Sequence, residues 1–323
     1  MDYLSFHDQM AHYFKRPHNN KIPLQPITGE AAWFGKDLQQ TPEQWLFHFS
    51  DADNQELWRA VELSKEVPAS AINRNNFTLE NLQQRCQRWK TQLSTGLGVV
   101  IIRGLQLDGR SEQDCERLFW GLGHHLGLPG AQNARQELLG HVTDCSNGDN
   151  DLDERLYRTN EHIAYHCDAA DVVGLLCLQP AKQGGRSKVV SSVTLYNELL
   201  QAHPELVDRL FSPFRLDLRD KGSEESWIWV DPCTYDDNQL RTFYHSDYFR
   251  SIERHPHYQL TDEEQAILDF YDNKAKEEGV PLEMDMQVGD IQLISNHITL
   301  HSRTHYLDDP QAKRHLLRLW LSL

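Results

Sequence analysis

A histidine and an aspartate two positions apart can present an imidazole and a carboxylate to one cation, and Tyr165-His166-Cys167-Asp168 offers that pair. In an extended chain, side chains i and i+2 share a face, so the segment predicts His166 and Asp168 side by side with Cys167 turned away. The pair alone is weak evidence in a chain with 17 histidines, and His245-Ser246-Asp247 repeats it. That second pair sits among Phe243, Tyr244, Tyr248 and Phe249 with no glycine-bounded strand after it, so it reads as cavity lining or surface. The far end of the chain adds weight to the first pair. There Gly289-Asp290 leads into an apolar run, then Asn296, then His301-Ser302-Arg303, with Arg314 thirteen positions after His301 and Arg318 four later. Two histidines and one carboxylate form the facial set that suits non-haem iron(II) and leaves positions open for O2 and substrate-derived oxygens. An arginine on a neighbouring strand suits the far end of a dicarboxylate that chelates the same metal. His297 and His305 flank His301 at i−4 and i+4, so on a strand spacing alone does not exclude them; for these and His315 the plain reading is packing or surface hydrogen bonding.

Elements must bring these distant residues together. Gly98 to Gly104 encloses a β-branched run that reads as a buried strand, as do Val172 to Leu178, Lys188 to Val193, Ile291 to Ile294 and Leu316 to Leu323. Helices are expected over Gln55 to Lys65, from Thr78 as cap toward Gly96, from Ser111 with Asp114 to about Leu126, and after the capping box Thr261-Asp262-Glu263-Glu264. Trp227 and Trp229 alternate like a half-buried strand and read as packing. Short strands dominate the metal-bearing part and helices flank it, which predicts a mainly β protein with a sandwich or barrel-like core. No linker is visible, so residues 1–323 read as one domain, with an irregular arm over 1–50.

Composition excludes several classes. A net charge of −16, from 48 acidic against 32 basic residues, argues against a nucleic-acid surface. The start lacks a basic segment followed by an apolar run, and no stretch approaches the roughly 18 apolar residues of a membrane helix, so a cytoplasmic protein is expected. The six cysteines form no Cys-x-x-Cys pair and read as scattered buried thiols.

Taken in order, Tyr165-His166-Cys167-Asp168, Gly184-Gly185-Arg186-Ser187, Gly289-Asp290, His301-Ser302-Arg303 and Arg314-His315-Leu316-Leu317-Arg318 resemble the taurine dioxygenase (TauD/TfdA) superfamily. The resemblance covers roughly residues 95 to 323 and adds little over 1–90, although Ala32-Trp33-Phe34-Gly35 is similar to a segment of some bacterial members. It implies a double-stranded β-helix, a cupin-like jelly roll, over 95–323, with an insert around 205–280 and an N-terminal arm and helices over 1–90. It implies Fe(II) held by His166, Asp168 and His301, and 2-oxoglutarate as co-substrate with O2. It gives Arg314 the distal carboxylate of 2-oxoglutarate, assisted by Ser187, where the family carries threonine. Arg318 falls where some members bind an anionic group of the substrate. Asp168 is intact, so hydroxylation or a related oxidation is implied over halogenation, with release of succinate and CO2. The expected partner is a small metabolite, and a homo-oligomer is compatible with the sequence. Weaker candidates for substrate contact are Gln132 and Asn133 after a glycine-rich turn, Tyr157, Arg158 and Asn160 ahead of the His-x-Asp segment, and His245 and Tyr248 in the insert. Two other readings remain: a metabolite-binding protein that kept the jelly roll, and a zinc-type hydrolase using the same three ligands. Neither gives Arg314 and Ser187 a use.

Overall fold

The computed structural model describes residues 3–16, 21–144, 159–218 and 226–323. In chain order its principal strands are β1 (Leu46–His48), β2 (Val99–Arg103), β3 (Leu128–Gly130), β4 (Leu139–Val142), β5 (Ile163–His166) and β6 (Val172–Gln179). These are followed by β7 (Ser187–Ser191), β8 (Leu282–Met284), β9 (Ile291–Ser295), β10 (Thr299–Arg303) and β11 (His315–Ser322). The principal helices are α1 (Phe6–Phe14), α2 (Asp51–Leu63), α3 (Gln83–Ser94), α4 (Glu112–Leu126), α5 (Ser192–Ala202) and α6 (Asp262–Lys274). A seven-stranded sheet runs β1-β2-β9-β6-β11-β3, with β4 also on β11. A four-stranded sheet runs β8-β7-β10-β5. This is the expected jelly-roll core with helical flanks.

The period-2 pattern of the strands sets the layers. In β2, Val99 and Ile101 face the second sheet, where they meet Val173, Ile294 and Trp320 of their own sheet and Val189, Leu282 and Met284 of the other. Val100 and Ile102 turn the opposite way, onto Leu57, Trp89 and Leu118 of α2, α3 and α4. β11 alternates likewise: Leu317, Leu319 and Leu321 pack under the helices, while Leu316 and Trp320 face inward. Arg318 therefore projects into the space between the sheets. The outer face of the smaller sheet, with Val190 and Leu300, is covered by Leu195 and Leu199 of α5 and Ile267 and Tyr271 of α6.

Local signals placed most elements. Ser111 caps α4 by accepting from the Asp114 amide at 3.1 Å, and Thr261 opens α6 with a full capping box. Thr78 does not cap α3, which starts at Gln83. The Glu56 carboxylate of α2 instead accepts from the amides of Glu80, Asn81 and Leu82, so a neighbouring helix supplies the cap. The strand expected to reach Val193 ends at Ser191, whose hydroxyl accepts from the Thr194 amide and starts α5. The irregular arm contains α1, capped by Ser5, and β1 pairs in parallel with β2. Trp227 and Trp229 lie on a strand beside Phe214–Asp217, with Arg215 over both rings. The five described cysteines are free and buried. No helix among the described residues is long and apolar enough to cross a membrane.

Candidate metal centre

The middle of β10, the end of β5 and the turn after β5 converge at one place. His301 on β10 pairs in register with His166 at the end of β5, and their rings lie 4.2 Å apart. Asp168 is not on the strand, as the i, i+2 argument required; β5 stops at His166. A clamp brings its carboxylate back. The Asp168 amide donates to Asn296 Oδ1 at 3.0 Å, Asn296 Nδ2 donates to the Ala170 carbonyl at 2.9 Å, and the Cys167 amide donates to the Tyr244 carbonyl at 2.7 Å. Cys167 points away into the core, as expected. Asp168 Oδ2 comes to 3.7 Å from His301 Nε2, and one donor atom from each of His166, Asp168 and His301 lies within 4.8 Å of the others.

The donor chemistry fits a divalent transition metal. His166 Nδ1 lies 2.9 Å from the Ala164 carbonyl, so that nitrogen carries an N–H and Nε2 is the atom left to act as a ligand. Burial pushes the His301 imidazole down to about 3, helped by the nearby His166 and only partly opposed by Asp168, so the ring is neutral at pH 7. Burial would raise the Asp168 carboxyl, but Arg318, His301, His166 and His245 outweigh it and hold the group below its ordinary value, ionised. Two imidazoles and one carboxylate with their donor atoms gathered in this way are the set that suits non-haem iron(II).

Deeper in, Arg314 and Arg303 flank Tyr306, their guanidinium carbons 5.0 and 4.8 Å from the ring centre. Burial lowers Arg314, and it brings Arg303 to about 10 with help from the charge of Arg314. Among the described residues, Arg314 Nη1 and Arg303 Nε and Nη1 are buried without a hydrogen-bond acceptor within ordinary distance, and the buried Tyr306 hydroxyl lies beside them. Two desolvated cations with idle donors are a cradle for a carboxylate. Gly185, at φ +69°, lets the chain pass close to Arg314: a Cβ there would lie 3.3 Å from Nε.

The other sequence candidates sort clearly. Ser187 shares the sheet face of Arg303 and His301, but its hydroxyl exchanges hydrogen bonds with Gln292 at 2.9 and 3.2 Å. Arg318 is buried and donates from Nε to Gln132 Oε1 at 2.6 Å, while Gln132 Nε2 donates to the Arg318 carbonyl, so Gln132 positions the arginine. Asn133 instead organises its own turn, bonding Glu137 and the Arg135 amide. Asn160 contributes its carbonyl to the Tyr306 amide. Tyr157 and Arg158 lie outside the described residues. His245 bridges to His166 with rings 5.2 Å apart, and Tyr248 stacks on His245 at 3.9 Å, so both border the donor set. His297 bonds Asp171 at 2.8 Å and stacks on Tyr13, and His305 is exposed; both have structural settings. Sequence reasoning gave no role to Asn296, Gln292 or Tyr306. Their one signal was a polar side chain in or next to an apolar run.

The model of the taurine catabolism dioxygenase TauD, TfdA family matches residues 62–320. FR-33289 synthase of Streptomyces rubellomurinus is 28% identical over 313 residues, 94% of this chain and 92% of that protein. The uridine-5'-phosphate dioxygenase of a Streptomyces species is 26% identical over 179 residues, 51% of this chain and 64% of that protein. Asparagine oxygenase, solved with Fe(II), 2S,3S-3-hydroxyasparagine and succinate, superposes with a TM-score of 0.69 at 14% identity, covering 86% of this chain and 93% of its own. The non-heme iron oxygenase OrfP, solved with Fe and alpha-ketoglutaric acid, gives 0.61 at 17% identity over 86% and 94%. The chain belongs to the TauD/TfdA family and is a 2-oxoglutarate-dependent non-haem iron dioxygenase, with Fe(II) as its metal and 2-oxoglutarate and O2 as its co-substrates.

Proposed function

We propose that His166, Asp168 and His301 hold the iron, that Arg314 takes the distal carboxylate of 2-oxoglutarate, and that a small anionic metabolite is hydroxylated or otherwise oxidised beside them. The observation that carries this reading is the pairing of the three-residue donor set with a buried arginine whose Nη1 has no hydrogen-bond partner among the described residues. Bound iron(II) supplies O2 activation coupled to oxidative decarboxylation of 2-oxoglutarate to succinate and CO2. The chain supplies the rest. His301 stays neutral and available as a ligand beside His166, and Asp168 stays ionised under the influence of Arg318. Arg303 adds a second cation beside Tyr306, and Ser187 lies on the same side of the sheet. Burial on both sides keeps water from the reacting groups.

An anionic substrate is favoured by Arg318, a buried guanidinium aimed between the sheets and held by Gln132. The name of one relative, uridine-5'-phosphate dioxygenase, agrees with an anionic ligand in such a fold. His245 and Tyr248 form one wall of the substrate space, with Asn160 on the approach. The metabolite-binding and zinc-hydrolase readings have no use for the Arg314 cradle. Under anaerobic conditions, iron(II) with 2-oxoglutarate gives a visible metal-to-ligand charge-transfer band. Asp168→Ala is expected to abolish it and Arg314→Ala to raise the 2-oxoglutarate needed to form it. A folded native protein without the band would overturn the assignment, and a screen of anionic metabolites for stimulated succinate release identifies the substrate.

A further inference from the structure

A second convergence of metal-binding side chains lies on the outer, helix-covered side of the larger sheet. Glu112 and Glu116 stand one turn apart at the start of α4, His141 is on β4, and His315 begins β11. His141 Nδ1 is 2.9 Å from His315 Nε2 and 3.6 Å from Glu112 Oε1, and His315 Nδ1 is 3.8 Å from Glu112 Oε2. His141 Nε2 is 3.5 Å from Glu116 Oε1. One donor atom from each of Glu112, His141 and His315 lies within 4.8 Å of the other two.

These spacings have a physical meaning. An imidazole hydrogen-bonded to a carboxylate closes to about 2.7–3.2 Å, and the three carboxylate contacts all stop short of that. Donor atoms about 2.0–2.2 Å from a common ion and separated by about 90–120° sit about 2.8–3.8 Å from one another. The separations of His141 Nδ1 from His315 Nε2 and from Glu112 Oε1, 2.9 and 3.6 Å, fall in that range, so one ion held by these three atoms accounts for both, whereas a hydrogen-bonded imidazole pair accounts for the first alone. Two imidazoles and a carboxylate are the donors that zinc(II) and its neighbours in the transition series prefer.

We propose that Glu112, His141 and His315 form a second divalent transition-metal site of zinc(II) type, with Glu116 orienting the His141 ring. Ligation through His141 Nδ1 leaves its Nε2–H facing the Glu116 carboxylate at 3.5 Å, beyond hydrogen-bond distance, where the nearby negative charge favours that tautomer. The side chains of His315 and His141 are 22% and 37% exposed, so an ion reaches the site from solvent and completes its shell with water. Bound there, it ties the start of α4 to the β4–β11 edge. The site is independent of the pocket between the sheets.

The test is a zinc(II) titration of the metal-free full chain against a competing chromophoric chelator. The native chain is expected to bind one equivalent more than His141→Ala/His315→Ala, with equal thermal midpoints for the two metal-free proteins. His166→Ala/Asp168→Ala reports separately on the inner centre and is expected to keep the outer equivalent. Glu112→Gln, at an exposed position, provides a second route should the double variant fold poorly: zinc affinity at this site is expected to fall about 10- to 100-fold. Equal zinc equivalents in the native chain and a folded His141→Ala/His315→Ala variant would overturn the proposal, as would an unchanged affinity in Glu112→Gln.

Discussion

Asn296→Ala tests the clamp that places the Asp168 carboxylate beside His301 at the proposed iron site. Asn296 is fully buried, and its side chain is the described partner of the Asp168 amide and of the Ala170 carbonyl, at 3.0 and 2.9 Å. Alanine removes both contacts and leaves one buried donor and one buried acceptor unmet. Each such group costs about 1–3 kcal/mol, so the substitution should cost about 2–6 kcal/mol in total. The loss divides between two measurable quantities. Relaxation of the 167–170 turn shows as lost stability in chemical denaturation, and misplacement of Asp168 shows as lost iron(II) affinity, about 10- to 100-fold by analogy with other second-layer partners of metal ligands. Iron affinity is read from the anaerobic charge-transfer band at saturating 2-oxoglutarate. Asn296→Asp provides the control, because it keeps an acceptor for the Asp168 amide but loses the donor to Ala170 and adds a like charge near the ligand. Loss of the Ala170 contact should lower stability, while the added negative charge beside a dication site should offset part of any loss in iron affinity. An Asn296→Ala protein with native stability and native iron affinity would refute the clamp.

Three further outcomes are expected. Gly185→Ala places a methyl 3.3 Å from Arg314 Nε at φ +69°, so it should fold at a backbone cost of about 1 kcal/mol and raise the KM for 2-oxoglutarate; Gly184→Ala, whose Cβ would meet the His305 carbonyl at 2.2 Å, should lose far more stability, and equal effects in denaturation and KM would count against the contact. Gln132→Leu removes a charge-assisted hydrogen bond worth about 1.5–3 kcal/mol from Arg318, and should raise the KM for an anionic substrate in succinate-release assays while leaving the charge-transfer band in place. Burial would raise the Asp171 carboxyl, but hydrogen bonds from His12 and His297, with the charges of His297 and Arg16, hold it far below the carboxylate range. Its folded value is depressed, so its stabilisation is complete above the unfolded value of about 3.9 and is lost as pH falls below it. Asp171→Asn should therefore cost about 3–5 kcal/mol at neutral pH and flatten the acid limb of the stability curve.

The sequence alone carried whatever is written within a few residues. The His166/Asp168 spacing, the interval from His301 to Arg314, the apolar strand runs and the caps at Ser111 and Thr261 each need only local geometry, and strand period and cap chemistry are properties of short segments. Tertiary structure decided the rest. Only the fold shows that β5 ends before Asp168 and that Asn296, 128 residues away, returns the carboxylate. Thr78 had the right type for a cap, yet Glu56 from another helix meets those amides, because orphan donors bond whichever acceptor packing delivers. Ser187 and Gln292, 105 residues apart, meet only because two sheets face each other. His141 and His315 gather with Glu112 because β4 lies beside β11 under the start of α4. Strand and cap patterns are enforced by bonds between near neighbours along the chain. A pocket is made by side chains that the chain separates and packing joins, so its membership was decided in three dimensions.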